Sequence, residues 1–288
     1  MTIAQAYHQL WEALITRYDE GEARSIARIV FEDEFGVTNV QRRDHLASYQ
    51  LMRLSRIQSR LLNDEPVQYV LGRADFYGLK LQVDKHVLIP RQETEELVHW
   101  LLETIREEKK ETGRVLDIGT GSGCIPIALK KEAPGLEVHA LDVNEKALEV
   151  ARANSGHYDA PLHLHHLDIL DESAWSRLPV FDLIVSNPPY IPEGEAHLVP
   201  TNVKQFEPRR ALFVDDSDPL LFYRIITTFA GRNLLPNGWL FFEVNEYHAG
   251  GVVALLQAAG MEQVELRKDL HGKERMARGR MSANRVEV

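Results

Sequence analysis

The chain has 288 residues, 44% hydrophobic and 26% charged, with a formal net charge of −10, which is the composition of a globular protein and the length of roughly two domains. No apolar run approaches the ~18 residues that a membrane span needs, and the first residues lack the basic and apolar regions of an export signal. A single cysteine, Cys124, excludes an internal disulfide framework and a multi-cysteine zinc site, so the expected setting is a reducing cytoplasm, with no membrane partner. Charge is uneven, net −1 over residues 1–85 and −9 over the rest, and an acidic field disfavours nucleic acid as a stable partner.

In chain order, Ala6, Leu10, Ala13, Leu14 and Tyr18, then Ile26, Ile29 and Val30, then Leu46, Leu51, Leu54, Ile57, Leu61 and Leu62 recur at helical spacing with no Pro before Pro66. These predict a small all-helical N-terminal domain over residues 1–66. Period changes from residue 67. Phe76 to Val83 alternate about Gly78, which predicts a β-hairpin linker within 67–92. Residues 93–288 form the third segment, opening with a helix whose apolar side is Leu97, Val98, Leu101, Leu102 and Ile105.

Strands and helices then alternate. Strands are predicted at 114–118, 137–141, 161–167, 181–186 and 238–244, with helices at 124–131, 145–154, 219–234 and 250–259. Two last strands, 262–267 and 274–279, have no helix between them. The fold class is therefore α/β, a mostly parallel sheet covered on both faces with an antiparallel edge.

The first sheet strand ends in Asp117-Ile118-Gly119-Thr120-Gly121-Ser122-Gly123, and a helix follows. Glycines allow a sharp turn and a close ligand approach, at the carboxyl end of a strand where open α/β sheets bind ligands. The spacing is G-x-G-x-G rather than the dinucleotide G-x-G-x-x-G, and Asp117 would repel a phosphate. The second strand ends in Asp142, placed to accept hydrogen bonds from ribose hydroxyls, with helix capping the lesser alternative for an acid there. A nucleoside without a pyrophosphate and with a cationic group fits both features, which points to S-adenosylmethionine.

The fourth strand runs into Asn187-Pro188-Pro189-Tyr190. Two prolines bar continuation as helix or paired strand and remove two N–H donors, which leaves carbonyl acceptors beside the Asn187 side chain. Such a corner suits a planar –NH2 group, flanked by the flat ring of Tyr190. Holding both N–H bonds would aim the nitrogen at a methyl donor, and positioning of that kind supplies about 7–11 kcal/mol of a barrier.

Together these motifs resemble class I S-adenosylmethionine methyltransferases that modify planar amino groups. More specifically, the chain resembles the release factor-specific protein-glutamine N5-methyltransferases of the PrmC/HemK family. The likeness runs through Gly72-Arg73, Phe76-Tyr77-Gly78-Leu79, Leu88-Ile89-Pro90-Arg91-Gln92-Glu93-Thr94-Glu95, Asp117–Cys124, Ser186–Ile191, Phe206-Glu207-Pro208, Ala211-Leu212 and Lys268–Arg275. Gln92 stands where the family usually has Pro, and Pro126 where it usually has a small apolar residue.

The resemblance implies a Rossmann-like sheet with a helical N-terminal substrate-recognition domain. It implies a cofactor held by Asp117, Gly119, Thr120, Gly121, Ser122, Gly123, Asp142, Asp168, Ile169 and Asn187. It places the glutamine of class 1 peptide chain release factors on Asn187, Pro188, Pro189 and Tyr190, with Pro90 and Arg91 beside the pocket. S-adenosylhomocysteine would be the product, no metal would take part, and the enzyme would be a monomer. Alternatives are glutamine methylation of a ribosomal protein, adenine-N6 methylation of RNA or DNA, and a non-catalytic partner-binding module.

Four weaker features have plain readings. His163 and His165 share a strand face, where metal binding would lack a third ligand. Cys124 near a helix start is a packing residue, and Trp11, Trp100, Trp175 and Trp239 are core or domain-contact residues. Glu93 and Glu95 are either helix-start acids or site groups. The basic run Arg267, Lys268, Lys273, Arg275, Arg278, Arg280 and Arg285, against Asp269, Glu274 and Glu287, is a solvated strand pair and tail.

Overall fold

The computed structural model describes residues 1–283, which divide into two compact units. The first comprises Met1–Arg73 with Pro200–Phe206, and the second comprises Ala74–Val199 with the rest of the chain from Glu207. No helix among the described residues is long and apolar enough to cross a membrane.

The first unit is helical: α1 (Ile3–Leu14), α2 (Glu20–Phe35), α3 (Ser48–Leu61) and α4 (Val67–Leu71). Thr2 and Gln5 close a reciprocal capping box on α1, Asp19 caps α2, and Gly36 ends α2 in the left-handed conformation. Leu10, Leu14, Val30, Phe31, Ile57 and Leu61 form its core, which Val67 and Val70 complete. Residues 67–71 are thus helical rather than extended. Pro66 supplies a preset φ just before the first turn, and Gly72, at φ +72°, stops the helix after five residues. That is too short for periodicity to reveal.

The hairpin β1 (Arg73–Phe76) and β2 (Leu79–Gln82) begins at the last residue of the first unit's main segment and otherwise lies in the second. This hairpin is anchored, not a free tether. Asn154 grips both backbone groups of Gln82, at 2.7 and 2.9 Å, and the Tyr158 hydroxyl bridges both of Lys80. Then follow α5 (Gln92–Glu107), β3 (Arg114–Ile118), α6 (Cys124–Glu132), β4 (Glu137–Asp142), α7 (Glu145–His157), β5 (His163–His166) and β6 (Phe181–Ser186). After β6 the chain breaks into short pieces unmarked by sequence pattern: β7 (Ile191–Pro192), α8 (Thr201–Phe206), which belongs to the first unit, and β8 (Phe213–Val214), with 3-10 turns at Glu193–Leu198 and Arg209–Ala211. It closes with α9 (Leu221–Asn233), β9 (Leu234–Glu243), α10 (Ala249–Ala258), β10 (Glu262–Lys268) and β11 (Glu274–Arg280).

Seven strands form one sheet in the order β10-β11-β9-β6-β3-β4-β5. β9, β6, β3, β4 and β5 run parallel, and β10 and β11 add the expected antiparallel edge. Alternation along the strands divides the core. Val115, Leu183, Val185 and Phe241 pack against α5 and α6, whereas Leu116, Ile184, Leu240 and Phe242 pack against α9 and α10. The strand order reverses between β3 and β6, so their carboxyl ends flank the crevice in which such sheets hold ligands.

Candidate active site

Ile118 and Ser186 are register partners, and the Ser186 hydroxyl donates to the Ile118 carbonyl at 2.7 Å. The chain leaves the sheet immediately afterwards on both strands, as Gly119 on one and Asn187 on the other. Adjacent strands lie ~4.8 Å apart, so the glycine loop and the Asn-Pro-Pro corner start as neighbours. They open into one cleft. Its walls include Gly119, Gly121, Asp142, Asp168, Ile169, Asn187, Pro188 and Pro189, together with His86–Leu88 and Arg210, which sequence reasoning did not assign.

Gly119 and Gly121 have φ of +79° and +53°, and a Cβ on either would meet nothing within 4 Å. The loop is therefore a cradle that keeps its backbone bare toward the cleft. Gly123 differs. A Cβ there would stand 3.1–3.2 Å from Ile127 and Ala151, so this glycine serves close packing of α6 on α7. Asp142 accepts from the Gly121 N–H at 2.9 Å through one oxygen and from the Asn144 N–H at 2.8 Å through the other. It braces the cradle, while Asn144 is the residue that caps α7. Each carboxylate oxygen keeps lone-pair capacity for a further donor. Burial raises its pKa, and backbone N–H groups with the Arg210 charge oppose that rise. Bare glycines beside an acceptor carboxylate fit the ribose and methionyl parts of S-adenosylmethionine.

Asp117, Thr120, Ser122 and Gly123 lie beneath the cradle rather than along the cleft wall. Neither carboxylate oxygen of Asp117 has a hydrogen-bond partner among the described residues. Burial pushes its pKa up to about 7, and the nearby Thr120 hydroxyl eases this only in part. The unfolded carboxyl titrates near 3.8, so between about pH 4 and 7 the folded state holds a proton that the unfolded state has lost. The stability from this group is full below that window and is lost as pH rises through it. Asp117→Asn should therefore reduce the fall in melting temperature of the unliganded protein between pH 4 and 7. An unchanged slope would show that Asp117 is solvated.

At the corner, the Asn187 amide nitrogen donates to Thr94 Oγ1 at 3.1 Å, and Thr94 Oγ1 donates to Glu243 Oε2 at 2.6 Å. Asn187 Oδ1 has no partner among the described residues. Tyr190 packs against the core with its hydroxyl 3.4 Å from Glu243 Oε1, and it does not line the cleft. Burial, with the Glu243 charge, holds its phenol protonated. Pro90 and Arg91 also stand off the wall. Arg91 instead pairs at 2.6 Å with the buried Glu207, whose other oxygen takes the Ile89 N–H at 3.2 Å. Glu207 thus clamps the 88–91 segment beside Pro208. Glu93 and Glu95 are first-turn acids of α5, and Glu95 also accepts from the Tyr77 N–H.

The weaker features settle as follows. His163 has companions in Glu137 and His139, with donor atoms all within 4.8 Å. Both ring nitrogens of His139 are already engaged, by Glu137 at 2.9 Å and by His165 at 2.8 Å, and His163 stacks on the His139 ring. The Cys124 thiol is pushed up to about 12 by burial and by the Asp117 charge. Trp100, Trp175 and Trp239 are buried, and Trp11 is partly so. Arg267, Lys273, Arg275, Arg278 and Arg280 each pair with a carboxylate, while Arg285 and Glu287 lie outside the described residues.

Comparison with known proteins gives the family. The family model for the methyltransferase small domain matches residues 93–205. The release factor glutamine methyltransferase of Flavobacterium psychrophilum is 39% identical over 284 residues, covering 96% of this chain and 98% of that protein. The protein of the same name from Bacteroides thetaiotaomicron is 37% identical, covering 93% and 95%. A solved methyltransferase from Pyrococcus furiosus matches with a TM-score of 0.52 at 18% identity, over 79% of this chain and 99% of that one, which is a likeness of fold. The α/β sheet is that of the class I methyltransferases, and the chain belongs to the family of release factor glutamine methyltransferases.

Proposed function

We propose that the protein transfers a methyl group from S-adenosylmethionine to the side-chain amide N5 of the glutamine in the Gly-Gly-Gln motif of class 1 release factors. S-adenosylhomocysteine is the second product. The observation that carries this reading is the shared cleft, in which the Gly119–Gly121 cradle faces the Asn187-Pro188-Pro189 corner. Family membership supports the substrate.

S-adenosylmethionine supplies an electrophilic methyl on a sulfonium. The chain's own residues do the rest. Gly119 and Gly121 admit the methionyl part, Asp142 takes the ribose hydroxyls, and Asp168 and Ile169 border the base. Asp117, buried behind the glycine loop, would offer a carboxylate toward the cationic methionyl end. Asn187 Oδ1 and the Pro188 carbonyl accept the two N–H bonds of the glutamine amide. An amide nitrogen is a weak nucleophile because its lone pair is delocalised into the carbonyl. Two acceptors on its protons favour the pyramidal nitrogen that exists only at the moment of transfer. Once alkylated, the nitrogen is strongly acidic and releases its proton to water, so no side chain is needed as a strong base. The helical unit of Met1–Arg73 recognises the release factor, and the small residues flanking the glutamine let it reach into the cleft.

The test is incubation with methyl-labelled S-adenosylmethionine and, separately, a release factor, the same factor with its motif Gln replaced by Ala, ribosomes and RNA. Label is expected in the intact factor alone. Label in nucleic acid or in ribosomal protein would replace the substrate assignment, and cofactor binding with no label anywhere would make the chain a binding module.

A further inference from the structure

Asn187 is useful only one way round. An amide presents an acceptor on one side and a donor on the other, and a rotation by 180° would point –NH2 at the substrate –NH2. Side-chain shape does not choose between these states, so hydrogen-bond partners must. We propose that Thr94 and Glu243 are positioning residues that set the amide of Asn187, through a one-way chain from Asn187 Nδ2–H to Thr94 Oγ1 and from Thr94 Oγ1–H to the Glu243 carboxylate. The inference rests on the methyl-transfer reading and deepens it.

The polarity follows from atom types. An ionised carboxylate only accepts, and at 2.6 Å it takes the single Thr94 proton in a short, charge-assisted bond. The hydroxyl oxygen can then only accept, and the group 3.1 Å away that donates to it is Asn187 Nδ2. Asn187 Oδ1 is thereby turned away from Thr94, on a residue that lines the cleft. Thr94 is 3% exposed and Glu243 2%, so water does not substitute for either partner at low cost. The pair joins the first turn of α5 to the carboxyl end of β9, and neither residue lines the cleft, so neither touches substrate.

Protonation of Glu243 would undo the polarity. A neutral carboxyl can donate to Thr94, which frees the hydroxyl to point at Asn187 and makes the rotated amide equally well bonded. Glu243 is raised to about 7, by burial first, with Glu93 of α5 adding to the rise. The Thr94 hydroxyl, Arg275 of β11 and the Tyr190 hydroxyl act against it. Tyr223 of α9 donates its hydroxyl to the backbone carbonyl of the same residue. The ordered state therefore belongs to the alkaline side of neutrality.

The experiment is steady-state methylation of a release factor by wild type, Thr94→Val, Thr94→Ser and Glu243→Gln, with cofactor affinity measured on each by calorimetry. Thr94→Val should lower kcat about 10–100-fold, the scale of a misplaced reacting partner, with cofactor affinity near wild type. Thr94→Ser, which keeps the hydroxyl, should restore most of the loss. Wild-type kcat should rise with pH through about 7 on a limb that Glu243→Gln abolishes. Full activity in Thr94→Val, no rescue by Thr94→Ser, a limb that persists in Glu243→Gln, or a parallel loss of cofactor affinity would each overturn the proposal. If wild type labels no release factor, the methyl-transfer reading fails and takes this inference with it; an active wild type with unaffected variants sinks the inference alone.

Discussion

Replacing Asn187 by alanine should lower kcat about 10²–10³-fold, the loss seen when one positioned polar group is removed from a reacting centre, and should leave cofactor affinity close to wild type. The asymmetry follows from the strand ends. The cofactor cradle is built from the ends of β3 and β4, through Gly119, Gly121 and Asp142, whereas Asn187 follows β6 and holds none of that cradle by hydrogen bond. Its contribution falls on the second substrate, and on the state in which the amide nitrogen bends out of its plane. The measurement is kcat against release factor at saturating cofactor, beside the cofactor Kd. If kcat and cofactor affinity fall together, Asn187 is a wall of the pocket; if neither moves, the corner is only a turn.

The parts of this site that could be read from the chain are those contained in a few consecutive residues. Gly119 to Gly123 carry the left-handed turns in their own composition, and Asn187-Pro188-Pro189 carries its stiffness likewise. The alternation that produces a parallel sheet, and the lack of a helix between β10 and β11, also sit on the surface of the sequence. What could not be read is what long-range contact creates. Thr94 and Glu243 are 149 positions apart, and Arg91 and Glu207 are 116 apart. Each looks locally like an ordinary polar residue. One signal was present for Glu243, an acid closing the apolar run Leu240-Phe241-Phe242, much as Asp142 closes β4. Thr94 and Glu207 lay inside segments that carried the family likeness, but their roles depend on partners that only the fold supplies. Tyr190 also needs the fold: its neighbours in sequence line the cleft, whereas its ring packs against the core with its hydroxyl beside the buried Glu243. Short elements such as α4 and β7 fall below the length at which periodicity can speak, and are set by Gly72 and by tertiary pairing.

Asp142→Ala is expected to weaken cofactor binding at least about 10²-fold, as the loss of two hydrogen bonds to a charged group at roughly 1.5 kcal/mol each requires. Two causes could produce that number. Asp142 could act directly, by accepting ribose hydroxyls, or indirectly, since its oxygens already hold the Gly121 and Asn144 N–H groups and so shape the cradle. A cofactor analogue lacking both ribose hydroxyls separates them. If the contact is direct, wild type binds the analogue about as weakly as Asp142→Ala binds the natural cofactor, and the two losses do not add in the doubly altered pair. If Asp142 only braces the loop, the losses add, because the analogue removes one interaction and the alanine removes another. Asp142→Asn refines the answer. It keeps one acceptor oxygen and so retains either Gly121 or Asn144, while its amide nitrogen opposes the N–H it can no longer receive. A direct role predicts affinity between those of wild type and Asp142→Ala. Natural-cofactor affinity unchanged in Asp142→Ala would remove the residue from the site altogether, and the cradle would then be held by the Gly119 and Thr120 N–H groups on the Leu141 carbonyl, at 2.8 and 3.0 Å.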